Sequence, residues 1–533
     1  MAADIKYPVG IQDFRKLREM GYAYVDKTKF ILKMLESPGY YFLSRPRRFG
    51  KSLFLSTLQA YFEGRRELFK GLALDTDAVE WVPKPIIKFS FNAVRATEKE
   101  NLGKYLDIVL SEYAEKYGAS NLGDYSDRFA SVIRRAHEQT GQKVAVLVDE
   151  YDSLLLDTIR PEHSDLNSYY RDILKSLFSV LKNNDEHIFM AFITGVSRFS
   201  HTSLFSGANN LEDISILNEY AAVCGITEDE LCNVFKVGIQ GFAEEESKDF
   251  EAIFALLKRN YDGYHFAKKC PDIYNPFSIL RSLKYKTIDN FWFQSGTPSY
   301  LIEVLKHDDF FLPSLDCLET LESELTAKES YLQNPVALLF ESGYVTIKGY
   351  EKESKIFTLG FPNLEVAKSF TEVLLPIYSG KDKEITNDVC VKMRRFVING
   401  EANLFMEEMK TFLQGNPYGL TELDKREKYF QCCLFLLLRA IGFEPQAERQ
   451  TCNARMDMMM ETSRFIYIFE LKTDGSSENA MSQIHEKGYH LPFVGKGKQI
   501  INIAANYSSN SNNIESWQIE KYSLDKHIQN EEP

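Results

Sequence analysis

Arg45-Pro46-Arg47-Arg48-Phe49-Gly50-Lys51-Ser52 places three arginines, a lysine and a hydroxyl in eight residues, after the apolar run Tyr40–Leu43. A polyphosphate is held by backbone N–H groups at a helix N-terminus, an ammonium on its terminal oxygens and a hydroxyl for its magnesium ion. Arg47, Arg48, Phe49, Gly50 and Leu53 belong to the loop and first turn that would supply the donors, with Lys51 as the ammonium and Ser52 as the hydroxyl. The pattern G-x-x-x-x-G-K-[ST] is met except at its first glycine, where Arg45 stands. Alone, the segment also reads as a basic loop that opens a helix.

A second group of residues favours the phosphate reading. In Lys143–Asp152, KVAVLVDEYD, an apolar run leads straight into acids, as in a buried parallel strand with carboxylates at its carboxyl end. Ligands of α/β sheets bind outside those ends, so Asp149 would meet the Lys51 loop and hold Mg2+, while Glu150 would polarise an attacking water. A third strand, His187–Thr194, ends near Thr194, Ser197 and Arg198. Thr194 is positioned to touch a terminal phosphate or the attacking water. Arg198 could place a positive charge on the transition state, in its own subunit or a neighbour's if the chain forms a homo-oligomer.

A different chemistry is offered near the C-terminus by RMDMMME (Arg455–Glu461) and FIYIFELK (Phe465–Lys472), two strands joined at Thr462-Ser463. With Glu461 opposite Arg464, Asp457 lies opposite Ile468 and Glu470 is its diagonal neighbour at roughly 7 Å. Glu470 and Lys472 share a face by the two-residue period. Hard carboxylate oxygens of Asp457 and Glu470 suit Mg2+ or Mn2+, and Lys472 would orient water or stabilise a pentavalent phosphate. Glu427, in the helical run Glu422–Ile441, is a further candidate metal ligand, and Gln483, in the pattern Glu478–Lys487, a supporting residue. A surface ion pair on a structural hairpin is the competing account.

These sites need a scaffold, and 533 residues exceed what one core holds. Strand and helix patterns alternate over residues 40–225, short helical patterns dominate from the N-cap candidate Thr227 to about residue 375, and the polar stretch Ser379–Asp388 reads as a linker. The aromatic segments Tyr261–Phe266 and Phe291–Phe293 read as packing, and the Asn/Ser-rich stretch Asn506–Asn513 as a loop. Eight cysteines without C-x-x-C spacing read as reduced core thiols. A net charge of −13 confines any nucleic-acid contact to a local patch. With no signal-peptide pattern and no apolar run near the ~20 residues of a membrane span, a cytoplasmic protein without membrane contact is expected.

The segments RPRRFGKS, LVDEYD, GVSRFSHTSLFSGANNLEDIS, YDGYHF, YNPFSIL, FWFQSGTPSYL, LLFESGYVTI and TLGFPNLEV, in this order, resemble the bacterial AAA-ATPase-like family fused to a PD-(D/E)XK nuclease-like domain. In that family the arginine-for-glycine loop is the usual form. The C-terminal segment is similar to the nuclease-like domain at Asp457, Glu470, Lys472 and Gln483, with Ala454 where glycine often stands. The resemblance implies an α/β P-loop ATPase core with a parallel sheet (1–225), a helical lid or winged-helix-like region (226–378) and an α/β restriction-endonuclease-like domain (389–533). It implies ATP with Mg2+ as ligand and DNA or RNA as partner, with the nuclease under nucleotide control. The alternative is an ATP-dependent signalling or scaffold switch with an inactive nuclease-like domain. A DNA-binding regulator is disfavoured, since the middle region has no recognition helix with clustered arginines.

Overall fold

The computed structural model describes residues 5–198, 211–292, 305, 311–325, 335–414, 423–450, 455–511 and 513–522, with the side chains of 316, 423–427, 448–450 and 455 excepted. Phe293, Cys452 and Ala454 lie outside these residues. The chain divides into two compact units, Met1–Asp308 with Glu319–Val366, and Asp309–Leu318 with Ala367–Pro533. No helix among the described residues is long and apolar enough to cross a membrane.

The first unit is built on a wholly parallel sheet of β1 (Tyr40–Ser44), β2 (Ile86–Ser90), β3 (Val144–Asp149), β4 (Ile188–Gly195) and β5 (Leu211–Asp213), ordered β2-β3-β4-β1-β5. Every residue of β1 and β3 is buried, because helices cover both faces of such a sheet and side chains of either parity must be apolar. β4 lies between β1 and β3, so the Arg45 loop, Asp149 and Thr194 all lie at the carboxyl ends of neighbouring strands.

The middle of the chain is mainly helical. Thr227 caps Glu228–Glu245 in a reciprocal capping box with Glu230, Asp249 caps Phe250–Tyr261, and Asn275 caps Pro276–Tyr285. Leu231, Phe235, Ile239, Ile253, Leu257 and Tyr261 form their shared core. Strands are also present: the pair β6 (Ile226–Thr227) and β7 (Ile273–Tyr274), and a sheet of β8 (Leu318–Leu321), β9 (Thr346–Glu351) and β10 (Ile356–Gly360), ordered β8-β10-β9. Tyr261, Tyr264, Phe266, Phe291 and Trp292 are all buried, as packing requires.

In the second unit β11 (Gln446–Gln450), β12 (Arg455–Glu461), β13 (Phe465–Thr473), β14 (Gln499–Ser508) and β15 (Asn513–Tyr522) form one sheet in chain order, with β13 and β14 parallel and the other pairs antiparallel. The helix Ser477–Lys487 packs Ala480, Met481 and Ile484 against Ile466, Ile468 and Ile500. On the other face Phe430 stacks on Tyr507, and the Tyr467 hydroxyl donates to the Val397 carbonyl.

Three expectations are corrected here. The stretch Ser379–Asp388 is no linker: Ser379 ends one helix, Gly380 turns at φ 62°, and Lys383–Asn399 is the next helix. Its buried stripe Thr386, Val389, Met393 and Val397 begins within the polar residues, whose charges face solvent. Asn506–Asn513 is a loop only in part: Asn506–Ser508 end β14 and Asn513 begins β15, with Tyr507 buried and Asn506 Oδ1 accepting from Gly475 N at 2.9 Å, so that among the described residues the turn is confined to 509–511. The described cysteines are free, but Cys317 is exposed and is not a core thiol.

Candidate functional site

β1 delivers the chain into the loop at Arg45, whose guanidinium turns inward. It is buried and donates to the carbonyls of Ser44 (2.9 Å), Ser215 (2.7 Å), Tyr220 and Ala221 (both 3.2 Å), with its carbon 4.4 Å from the Phe266 ring centre. Burial pushes its pKa down to about 10. Arg45 thus anchors the loop to the chain beyond β5 instead of facing a ligand. The Phe49 ring is also turned away from solvent, edge-on to Tyr264 and Phe266 at 4.8 and 5.3 Å. Its carbonyl accepts from Gly225 N at 3.0 Å; a Cβ on Gly225 would lie 2.1 Å from Ile273 Cγ2, so only glycine permits this approach.

Gly50 then takes φ 98°, a left-handed turn that aims the start of helix Lys51–Phe62 at the loop. The first N–H groups of a helix lack intrahelical acceptors and are available to an anion. Lys51 Nζ donates to the carbonyls of Arg45 (2.8 Å) and Pro46 (3.1 Å). Burial lowers its pKa, opposed by Glu150, Asp149 and Asp152.

Arg47, Arg48, Gly50, Lys51, Ser52 and Leu53 line one cleft of about 320 Å3, and Glu150 faces into it. Burial raises the Glu150 pKa against the pull of Lys51. Glu150 has φ 52°, and its N–H donates to Thr194 Oγ1 at 3.3 Å, while that hydroxyl donates to Asp149 Oδ1 at 2.6 Å. The ends of β3 and β4 are thereby locked together. Asp152, which the sequence reading left without a role, strengthens this lock: its carboxylate accepts from Val196 N (3.0 Å), Ser197 N (2.6 Å) and Ser197 Oγ (2.6 Å).

Arg198 is engaged elsewhere. Its Nε lies 3.5 Å from Asp213 Oδ2 and 3.8 Å from Glu341 Oε1, and its side chain does not line the cleft.

In the second unit the hairpin register differs from the expected one. Thr462 N donates to Phe465 O at 2.8 Å, so Ser463-Arg464 forms the turn and Glu461 pairs with Ile466. Extending that register past the pair Met458 and Phe469 sets Asp457 directly opposite Glu470. The turn moved by one residue and the register by two, which keeps every side chain on its expected face. Asp457 Oδ2 accepts from Leu471 N at 2.7 Å, and Lys472 Nζ is 2.9 Å from Glu470 Oε1. Glu470 is fully buried.

Two hard carboxylates across adjacent strands suit one divalent cation. Among the described residues no group of three His, Cys, Asp or Glu converges to hold a metal. The Glu427 side chain lies outside the described residues, although its helix, Leu423–Ala440, is present. Gln483 reaches the site through a residue the sequence reading missed, donating at 3.1 Å to the Tyr489 hydroxyl. Burial raises the Tyr489 pKa, and Glu470 and Asp457 raise it further.

Residues 8–205 match the family described as "Predicted AAA-ATPase", and residues 425–517 match the "PD-(D/E)XK nuclease superfamily". A protein of Azotobacter chroococcum mcd 1, named "Uncharacterized protein in vnfD 5'region", is 33% identical over 529 residues, covering 97% of this chain and 99% of its own.

Proposed function

This chain belongs to the family of predicted AAA-ATPases that carry a PD-(D/E)XK nuclease-superfamily domain, and from that premise we propose that its first unit binds and hydrolyses ATP with magnesium and thereby governs metal-dependent cleavage of nucleic acid by the second. The observation that carries the reading is the single cleft shared by Arg47, Arg48, Lys51, Ser52 and Glu150. Beyond this charged end, Pro8, Gly50, Leu53, Pro276 and Leu280 also border an apolar cavity of about 80 Å3, so the cleft has an apolar side for the uncharged part of a nucleotide.

Lys51 supplies the positive charge for the terminal phosphates after exchanging its bonds to the Arg45 and Pro46 carbonyls. Ser52 and Asp149 would hold magnesium, which when bound neutralises phosphate charge. Thr194 orients the Asp149 carboxylate and holds the Glu150 backbone. Glu150, its proton affinity raised by burial, is the acceptor for an attacking water. Arg198 keeps Asp213 and Glu341 together; a role on the phosphates would require those pairs to open.

At the second site Asp457 and Glu470 would hold Mg2+ or Mn2+, which lowers the pKa of a bound water. Lys472, already beside Glu470, carries the charge that stabilises the phosphorane, and Gln483 and Tyr489 flank the site. A second reading keeps the ATPase but makes the nuclease-like unit an inactive binding module. It is favoured by the pairing of Lys472 with Glu470, which already neutralises one of the two carboxylates.

The test uses full-length wild type, Lys51→Ala and Asp457→Ala. Lys51→Ala should lower ATP turnover at least about 100-fold while leaving the circular-dichroism spectrum intact, a loss comparable to removing a principal electrostatic contact. Plasmid, linear and single-stranded nucleic acid are incubated with Mg2+ or Mn2+, with and without ATP. Cleavage by wild type that Asp457→Ala lacks supports the nuclease, and no cleavage under any condition selects the binding module. Undiminished turnover by Lys51→Ala overturns the nucleotide assignment.

A further inference from the structure

The phosphate loop is held from behind by a part of the chain far from it in sequence. Trp292 is buried, and its indole Nε1 donates to the Arg47 carbonyl at 3.1 Å, fixing the loop two residues before its phenylalanine. The Trp292 backbone N–H donates in turn to Glu365 Oε1 at 2.7 Å. The same oxygen accepts from Ser278 Oγ at 2.9 Å. Ser278 belongs to the helix Pro276–Tyr285, whose Pro276, Phe277 and Leu280 form the opposite wall of the cleft. One carboxylate oxygen therefore joins the strap on the phosphate loop to the helix that faces it.

We propose that Glu365 is a positioning residue for nucleotide binding, setting the distance between the phosphate loop and the apolar wall through Trp292 and Ser278. The inference rests on reading this cleft as the nucleotide site. Glu365 touches no ligand itself: it is 1% exposed and lies behind the wall. Burial pushes its carboxyl up to about 7, against the hydrogen bonds from Trp292 and Ser278, with Asp289 raising it further. A carboxyl buried at such a desolvation cost is held by the bonds it accepts, those from Trp292 and Ser278 foremost.

The experiment uses the full-length chain with Trp81→Phe and Trp517→Phe, so that Trp292 is the only tryptophan. Mg-ATP is titrated calorimetrically and by tryptophan emission, and turnover is measured on the same protein. The parent should bind ATP with a change in Trp292 emission. Glu365→Ala should weaken ATP about tenfold or more, remove the emission change and raise KM much more than it lowers kcat. Glu365→Gln, which retains an oxygen at Oε1, should stay within about threefold of the parent. If Glu365→Ala does not fold, Ser278→Ala and Trp292→Phe each remove one bond and should weaken ATP about fivefold. Unchanged affinity in Glu365→Ala, or in both single-bond variants, overturns the proposal. An equal loss in Glu365→Ala and Glu365→Gln, with equally lowered melting temperatures, also overturns it and leaves Glu365 as a purely structural residue. No ATP binding by the parent refutes the nucleotide reading itself, a result distinct from either of these.

Discussion

At the residue scale, Arg45 shows what a sequence can conceal. In the sequence it stands only as a departure from the first glycine of the phosphate-loop pattern, whereas in the structure its guanidinium points into the core and donates to four carbonyls. Backbone acceptors exist at every position and carry no sequence signature, so an arginine that will be satisfied by them is indistinguishable from one that faces a ligand. The pair Lys51 and Glu150 was legible because each stands next to an apolar strand whose end must open on the crevice. Arg45→Ala would leave four buried carbonyls short of a donor and a cavity beneath Phe266. The expected cost is about 3 kcal/mol or more, a fall of several degrees in the melting temperature. Arg45→Lys should not restore it, because a single ammonium cannot span the four acceptors. A melt indistinguishable from wild type would contradict the anchoring role.

At the element scale, patterns set by burial were readable and patterns set by pairing were less so. β1, β3 and β4 appear as continuous apolar runs because helices cover both faces of the parallel sheet. The hairpin β12–β13 was readable as two strands, but its turn was misplaced by one residue, since Thr462 and Phe465 close it through backbone and side-chain bonds that a count along the sequence does not show. Helix Glu228–Glu245 was readable from its first turn, and the structure adds a second function for that turn. Glu230 both completes the capping box with Thr227 and pairs with the buried Lys27 at 2.6 Å. Thr227→Ala should therefore cost about 1 kcal/mol, as for a lost cap. Glu230→Ala should cost about 3 kcal/mol, because it also strands a buried ammonium. Denaturant unfolding of the two variants decides this; equal costs would mean that the ion pair adds nothing.

At the scale of the whole molecule, the motifs imply units that follow one another along the chain, whereas the two compact units are interleaved in sequence. Residues 309–318 belong to the second compact unit although they lie within the span of the first, and the final boundary, Val366/Ala367, falls inside the helix Leu364–Ser379. Such an assignment is invisible to composition, because Leu312 and Leu315 look like any buried leucines and only their partners reveal their unit. A chain ending at Val366 would keep this segment without the unit it belongs to. Compared with the full-length protein it should bind a hydrophobic dye strongly and lose solubility. Replacing Leu312 and Leu315 by serine in that truncated chain should reverse much of the effect, and a soluble, non-binding truncated chain would count against the interleaving. The same topology bears on ancestry and gene damage. A frameshift near residue 366 removes more than a tail, since it also strips the cover from a segment synthesised earlier. The second unit therefore includes a segment carried within the span of the first, and a lineage that drops the proposed cleavage chemistry is expected to lose Asp457 and Glu470 before it loses the fold.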